Sequence, residues 1–286
     1  MRAPAKINLT LEVLGRRADG YHGIRSVMVP LELSDELTAA SNDAFAFECD
    51  RDDLAGDANL AVAALRAVFA APPPVRLRLE KRIPTQAGLG GGSSDAAAVL
   101  RMAMNGAFGA APQCDWLSVA RSLGSDVPFF LAGTAALVEG TGERVTPAGA
   151  LPPWHALIVK PPATVSTADA YRAIDESARP QRPRNDSVSI QMLEALQRGD
   201  FPLVEALMQN DFDDIISYRT PEIAIALRAL RDAGANNAML AGSGSCVYTI
   251  SPEATTIAAI ASALSFARGY DTFVTRFADA PDWRAV

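Results

Sequence analysis

The sequence predicts an α+β protein with two domains. Residues 7–14 and 75–80 alternate apolar and polar side chains with the period of a β-strand, while other segments, such as 59–71, have a helix-favouring composition. A chain of 286 residues suits two modest domains. Pro152-Pro153 precedes a new strand, and this change of composition places the domain boundary between 1–152 and 153–286.

The first half combines strands and helices. In the first strand, four apolar residues from Ile7 to Val13 point to one face, and the polar residues between them point to the other. A helix begins near Asp57 or Asn59 and is stopped by three prolines at 72–74. We expect strands at 7–14, 27–33, 75–80 and 134–140, and helices at 59–71, 96–105 and 116–123.

The second half is predicted to be mainly helical, with strands around a second glycine loop. Residues 179–185 are rich in Pro and Arg, which predicts a surface loop. We expect strands at 156–159, 237–241 and 246–250, and helices at 167–177, 187–197, 200–208, 221–233 and 252–266.

Charge and cysteine content narrow the classes of function. A net charge of −7 argues against non-specific nucleic-acid binding, which needs a basic surface, so any phosphate site must be positive locally. Three scattered cysteines predict a reducing, cytoplasmic location rather than a disulfide framework. No signal peptide is expected, and the most apolar run, 257–266, is too short to span a bilayer.

The glycine-rich segment from Pro84 to Asp95 is the most informative feature. It lies between a predicted strand and a predicted helix, where loop amides and the helix N-terminus can bind phosphate. It lacks the Gly-Lys-Ser/Thr of a Walker A loop and the Gly-x-Gly-x-x-Gly of a dinucleotide site. The alternative is a flexible linker, which would not usually run into a helix that starts with Ser-Ser-Asp.

Three motifs in order resemble those of the GHMP kinases. They are Ala3-Pro4-Ala5-Lys6-Ile7-Asn8, the loop Gly88-Leu89-Gly90-Gly91-Gly92-Ser93-Ser94-Asp95, and Leu240-Ala241-Gly242-Ser243-Gly244-Ser245. The resemblance covers nearly the whole chain. It implies an ATP-dependent kinase of small molecules, with a ribosomal-protein-S5-like N-terminal domain, a ferredoxin-like C-terminal domain and a cleft between them.

Lys6 and Asp126 are the candidate catalytic pair. On the residues alone, Lys6 and Asn8 could belong to a solvated sheet face, and Asp126, before Val-Pro, could be a helix N-cap. The resemblance implies that Asp126 takes the proton of the acceptor hydroxyl while Lys6 lies at the acceptor. Asn8 would then touch the substrate.

Arg-x-Asp-Gly-Tyr21-His22 resembles the erythritol-kinase branch of the family. There the acceptor is a cytidine diphosphate methylerythritol, and the tyrosine stacks on cytosine while the histidine bonds the base. Tyr171 would close the other side of the base, and Thr167 would lie near the diphosphate. Without the resemblance, an exposed aromatic pair and a core-facing helical aromatic are the ordinary interpretations.

The resemblance also implies the remaining contacts. Asn59 and Lys81 would flank the adenine and ribose of ATP, although Lys81 could equally be a solvated strand end. Ser93 or Ser94, with Ser94 preferred, would reach Mg²⁺. Gly242 and Ser243 would support the acceptor pocket, although the segment could be a plain turn. The main-chain amides from Gly88 to Ser94 would hold the triphosphate, and the loop residues of the ATP site would be Pro84, Gly88, Leu89, Gly90, Gly91, Gly92, Ser93 and Ser94.

The branch implies phosphorylation of the acceptor's 2-hydroxyl in isoprenoid precursor synthesis. Two alternatives remain: a GHMP kinase for mevalonate, homoserine or a sugar, and a non-catalytic member that binds ATP. Neither a nucleic acid nor a membrane is an expected partner, and we expect a monomer or a weak homodimer.

Overall fold

The computed structural model describes residues 1–110, 112–177, 187–266 and 269–278. The predicted surface loop at 179–185 lies outside these residues. The strands are β1 (Arg2–Arg16), β2 (His22–Ser41), β3 (Ala46–Cys49), β4 (Val75–Glu80), β5 (Ala136–Gly140), β6 (Arg144–Pro147), β7 (His155–Lys160), β8 (Gln209–Asn210), β9 (Met239–Leu240), β10 (Val247–Ser251) and β11 (Asp271–Arg276). The α-helices are α1 (Leu60–Val68), α2 (Gly91–Met104), α3 (Trp116–Leu123), α4 (Val127–Ala132), α5 (Thr167–Glu176), α6 (Val188–Arg198), α7 (Phe201–Leu207), α8 (Asp213–Arg219), α9 (Pro221–Asp232) and α10 (Ala254–Ala263).

The first sheet is built on the long antiparallel β1–β2 hairpin. Its order is β3-β4-β2-β1-β8, and β5 and β6 extend it from β2. Helices α1 to α4 contribute to the apolar cluster that packs against this sheet, which includes Leu65, Leu100 and Phe129. Both faces of β1 are buried, including the polar residues Lys6, Asn8 and Glu12. The polar face of β1 is therefore not a solvated face, because other parts of the protein cover it.

The second sheet has the order β11-β7-β10-β9, and all its pairs are antiparallel. Helix α9 precedes β9 and helix α10 connects β10 to β11, which is the β-α-β-β-α-β arrangement of ferredoxin-like folds. The α+β class is thus confirmed. The boundary at 152/153 stays a prediction. Although β7 begins the second sheet, the short β8 from the second half pairs with β1 in the first.

Two helix starts define the phosphate-loop region. Asn59 caps α1, because its side-chain oxygen accepts a hydrogen bond from Ala61 N at 2.9 Å. Helix α2 begins at Gly91 rather than at the predicted Ala96, so the second half of the glycine loop is already helical. The predicted helix at 59–71 ends at Val68, before the prolines.

The helices of the described residues are short. The longest, α2, has 14 residues. Within the described part of the chain, none is both long and apolar enough to cross a membrane.

Candidate active site

A cleft of about 960 Å³ lies between the two glycine loops and the polar face of β1. It brings together predicted residues from all three motifs and from both halves of the chain. Tyr21, His22 and Ser94 do not line it. The predicted residues that do line it are Lys6, Asn8, Asn59, Lys81, Pro84, Gly88, Leu89, Gly90, Gly91, Gly92, Ser93, Asp126, Thr167, Tyr171, Gly242 and Ser243.

The two glycine loops are in direct backbone contact. Cys246 N donates to Ala87 O at 3.0 Å. Gly88 has a φ of +76°, and a Cβ atom there would lie 1.9 Å from the carbonyl oxygen of Ala241. Gln86 adopts a φ of +50°, which places a non-glycine residue in the left-handed region. The loops therefore form one unit whose close approach depends on glycine.

The N-terminus of α2 opens into the cleft. Its N-cap is Gly90, with a φ of +74°, and Gly91, Gly92 and Ser93 form its first turn. The first N–H groups of a helix have no intrahelical partner, and the helix dipole places partial positive charge beside them. This arrangement suits the phosphates of a nucleotide.

Lys6 and Asp126 face each other beside this helix end. Lys6 Nζ donates to Asn8 Oδ1 at 2.7 Å and lies 3.9 Å from Asp126 Oδ2. Asn8 Nδ2 donates in turn to Ser26 Oγ at 2.8 Å. The amide of Asn8 thus orients Lys6, a contact that the sequence did not predict. An oxygen atom that lies to one side of the line joining Nζ and Oδ2 can be within hydrogen-bonding distance of both.

Burial and charge act in opposite directions on Lys6. Burial lowers the pKa of its ammonium group, and the nearby Asp126 carboxylate partly offsets this effect. Asp126 occupies the N-cap position of α4, but its side chain makes no capping hydrogen bond. The capping interpretation of Asp126 is therefore wrong, and its carboxylate lines the cleft instead.

Lys81 lines the cleft and is not the solvated strand end that the residues alone allowed. Its side chain is only 5% exposed, and Nζ donates to Asp35 Oδ2 and, at 2.7 Å, to Asp95 Oδ2. Asp35 Oδ1 also accepts from the backbone N–H groups of Arg82 and Ile83. Because two carboxylates already bind its ammonium group, Lys81 joins β2, the end of β4 and α2 beneath the glycine loop. Its place beside the adenine and ribose of ATP stays a prediction.

The predicted base-binding residues lie in two environments: Tyr21 is exposed, whereas His22 and Tyr171 pack against each other. Tyr21 is 68% exposed and belongs to the loop between β1 and β2. The His22 ring instead stacks on the Tyr171 ring, with centroids 4.7 Å apart and an interplanar angle of 17°. Thr167 and Ser243 meet through their hydroxyl groups at 3.2 Å. The second loop is thus joined to the start of α5.

Two family models match the chain in the expected order. Residues 59–134 match the GHMP kinases N terminal domain, and residues 192–270 match the GHMP kinases C terminal model. The chain belongs to the GHMP kinases. It is therefore an ATP-dependent phosphotransferase that acts on small molecules.

Relatives of this kinase carry a more specific name. It is 40% identical over 269 residues to a 4-diphosphocytidyl-2-C-methyl-D-erythritol kinase of Deinococcus radiodurans, covering 92% of this chain and 87% of the relative. A protein of the same name from Pelotomaculum thermopropionicum is 40% identical, covering 88% of each chain. A crystal structure of 4-(cytidine 5'-diphospho)-2C-methyl-D-erythritol kinase superposes with a TM-score of 0.77 at 34% identity, covering 97% and 99%.

Each glycine loop of the kinase is anchored by a residue that the sequence did not indicate. Asn210 Nδ2 donates to Leu240 O at 2.9 Å and to Gly242 O at 2.7 Å, which anchors the second glycine loop. Asp35 anchors the first loop through Lys81 and two backbone amides. Both residues lie far from their partners in sequence, so no local spacing or periodicity could have revealed them.

The kinase offers oxygen donors that suit Mg²⁺, which usually binds proteins through few ligands in addition to substrate phosphates. Ser93 lines the same cleft as Asp126. The Ser94 hydroxyl is buried and has no hydrogen-bond partner among the described residues. Over those same residues there is no cluster of three acidic, His or Cys side chains that could hold a metal. The donors fit an ion that arrives with the nucleotide.

Replacing Asp95 with Asn should change how the stability of the kinase depends on pH. Burial raises the pKa of Asp95 from 3.8 to about 7, against the opposing effect of Lys81. Between these values the folded state holds a proton that the unfolded state has lost, so stability falls as pH rises. The slope from this group is at most about 1.4 kcal/mol per pH unit. Urea unfolding at several pH values between about 4 and 8 should show a flatter profile for Asp95→Asn.

The matched control is Asp57→Asn, which removes an exposed carboxylate paired with Arg66. Its stability profile should run parallel to that of the wild type. Parallel profiles for Asp95→Asn and the wild type would contradict the prediction.

Proposed function

We propose that this kinase transfers the γ-phosphoryl group of ATP to the 2-hydroxyl of 4-diphosphocytidyl-2-C-methyl-D-erythritol. The observation that carries the proposal is the Lys6–Asp126 pair beside the N-terminus of α2, in a chain whose relatives are named for this reaction. The product belongs to isoprenoid precursor synthesis.

Asp126 is the proposed base. Phosphoryl transfer depends mainly on positioning and on stabilisation of charge, so one carboxylate that accepts the proton of the attacking hydroxyl is sufficient. Lys6 Nζ and Asp126 Oδ2 are 3.9 Å apart, so a hydroxyl that approaches from the cleft, to one side of the line joining them, can hydrogen-bond both. The Lys6 ammonium would stabilise the negative charge that develops on the oxygen and on the transferred group.

The first glycine loop is the proposed site of the triphosphate. The backbone N–H groups from Gly88 to Ser93 would bind it, next to the positive end of α2, whereas the N–H of Ser94 already donates to Gly90 O at 2.9 Å. Asn59 lines the same cleft, on the side proposed for adenine and ribose. Mg²⁺ would be held by the phosphates with Ser93 or Ser94, and it would supply charge neutralisation. Ser93 is favoured because it lines the cleft.

Tyr21, His22 and Tyr171 are proposed to bind the cytosine, and Thr167 the diphosphate. This proposal is supported by the stacking of His22, which directly follows the β1–β2 loop, on Tyr171 of α5, a residue that lines the cleft. Because His22 covers one face of Tyr171, we propose that His22 contacts the base at its edge and that the exposed Tyr21 stacks on it. Asn8, Gly242 and Ser243 would shape the acceptor end.

The two alternatives are less well supported. A kinase of mevalonate, homoserine or a sugar would have no use for the aromatic group at Tyr21, His22 and Tyr171. A non-catalytic ATP-binding protein would not need Lys6 and Asp126 on one cleft wall.

The test is release of ADP by the purified full chain with Mg-ATP. The acceptors are 4-diphosphocytidyl-2-C-methyl-D-erythritol, mevalonate, homoserine and galactose, each added separately. We expect turnover with the first alone. Turnover with another acceptor would contradict the substrate assignment, and nucleotide binding without turnover on any acceptor would favour the non-catalytic alternative.

Two further properties are proposals of the same kind. We expect a monomer or a weak homodimer, which sedimentation over a range of protein concentrations would distinguish. A cytoplasmic location stays a prediction from the cysteine content. The described cysteines, at 49, 114 and 246, are free thiols.

A further inference from the structure

One carboxylate outside the predicted site is bonded directly to a residue of the proposed cytosine site. Asp175, on α5, accepts a hydrogen bond from His22 Nε2, and the two atoms are 2.7 Å apart. The His22 side chain is 9% exposed, whereas that of Asp175 is 43% exposed. Both line a second cavity of about 750 Å³, next to the cleft that Tyr171 lines.

Two contacts fix the orientation of the His22 ring. The Tyr171 ring stacks on it at 4.7 Å and so sets its plane. Tyr171 is held in turn by Phe212, at 5.0 Å and with an interplanar angle of 85°. The hydrogen bond to Asp175 then sets the rotation of the imidazole within that plane. The Nδ1 edge of the ring is therefore held in one direction.

The partner of Nε2 also decides the hydrogen-bonding character of Nδ1. An ionised carboxylate only accepts, so Nε2 must carry the proton. In the neutral ring, Nδ1 is then an acceptor with a free lone pair. Among the described residues, no group hydrogen-bonds Nδ1.

An acceptor at that edge distinguishes two pyrimidines. Cytosine carries an exocyclic amino group at the position where uracil carries a carbonyl oxygen, so only cytosine can donate to Nδ1. A carbonyl oxygen opposite a lone pair would leave both acceptors without a partner, which disfavours binding.

We propose that Asp175 is a positioning residue that makes His22 selective for the amino group of cytosine over the carbonyl of uracil. This inference rests on the proposed function, since it assumes that the base lies at His22.

The test measures binding of CDP and UDP to the full chain by calorimetry, at about pH 8, above the usual titration range of histidine. We expect the wild type to prefer CDP about tenfold or more. In Asp175→Asn the side chain can either donate to or accept from Nε2, so the preference should fall to about threefold or less. ATP affinity should not change, because Asp175 does not line the ATP cleft.

The matched control is Glu176→Gln, the neighbouring carboxylate, whose partner is Arg219 at 2.8 Å. It should keep the full preference for CDP. A general disturbance of α5 would weaken CDP and UDP equally in both variants and leave the ratio unchanged, which would overturn the proposal.

The inference and the proposed function fail in different ways. If wild-type protein binds neither CDP nor the cytidyl acceptor, the function fails and the inference fails with it. If the wild type phosphorylates the cytidyl acceptor but Asp175→Asn keeps the wild-type ratio of CDP to UDP affinity, only the inference is overturned.

Discussion

Replacing Asp126 with Asn is expected to lower kcat by about 10²- to 10⁴-fold, the usual contribution of a positioned general base. The amide cannot take the proton of the acceptor hydroxyl, although it keeps the shape of the carboxylate. The KM for ATP should change little, because Asp126 lies outside the glycine loop. Steady-state ADP release at saturating acceptor measures both quantities.

The folded structure should tolerate this change. Asp126 makes no capping hydrogen bond, so the change in the free energy of unfolding should come from the lost ion pair with Lys6 rather than from α4. Asp126 raises the pKa of Lys6 against the effect of burial. In the variant, Lys6 should therefore lose its proton at a lower pH, and the residual activity should decline earlier on the alkaline side.

Asp115→Asn is the matched control for a helix-start aspartate. Asp115 caps α3 through Leu117 N and Ser118 N and does not line the cleft. Its kcat should stay close to that of the wild type. A kcat within about fivefold of the wild type for Asp126→Asn would contradict the assignment of Asp126 as the base, for which a loss of at least about 10²-fold is expected.

Replacing Gly88 with Ala is expected to destabilise the fold by about 4 kcal/mol or more, which is exceptional for a single methyl group. The added Cβ would lie 1.9 Å from Ala241 O and 2.8 Å from the carbonyl carbon of the same residue. Neither backbone segment can withdraw easily, since Cys246 N bonds Ala87 O and Ala241 N bonds Cys246 O. Chemical unfolding, with the yield of folded protein, measures the effect.

Two control variants distinguish the steric clash of the added methyl group from the strain of a left-handed backbone. Gly199 has a φ of +66° with nothing within 4 Å of the missing Cβ, so Gly199→Ala should cost only about 1 kcal/mol, from the left-handed conformation. Gly56 has neither feature, and Gly56→Ala should be nearly neutral. A loss for Gly88→Ala no larger than that for Gly199→Ala would show that the two loops can separate.

Regular elements with strong local patterns were predictable. The strand at 75–80 has the predicted bounds because its side chains alternate between apolar and polar. The helix at 116–123 also has the predicted bounds, because it is an apolar segment that follows a capping residue. Both signals are local in the sequence. Helices α4 and α8, of six and seven residues, were not predicted, and neither was β11. The two helices contain too few residues to show a helical period, and their stability comes from packing.

Candidate site residues were predictable where a motif carried them. The three motifs, taken together, placed Lys6, the first glycine loop and the second glycine loop on one site, and the structure brings these segments together. Lys81 shows the limit of this approach. The resemblance implied a lysine beside ATP, but it did not indicate that Asp35 on β2 and Asp95 on α2 bind the Lys81 ammonium group, because these partners are distant in sequence.

The sequence by itself determined the family, the order of the elements and the residue types of the proposed reaction, because these depend on local composition and on motifs that a linear chain displays directly. Only the tertiary structure decided which charges are free and which are paired. Lys6 and Lys81 look alike in the sequence, yet one faces Asp126 across a cleft and the other is enclosed by two carboxylates. The strength of an electrostatic interaction depends on distance and burial, and both arise only when distant segments pack together.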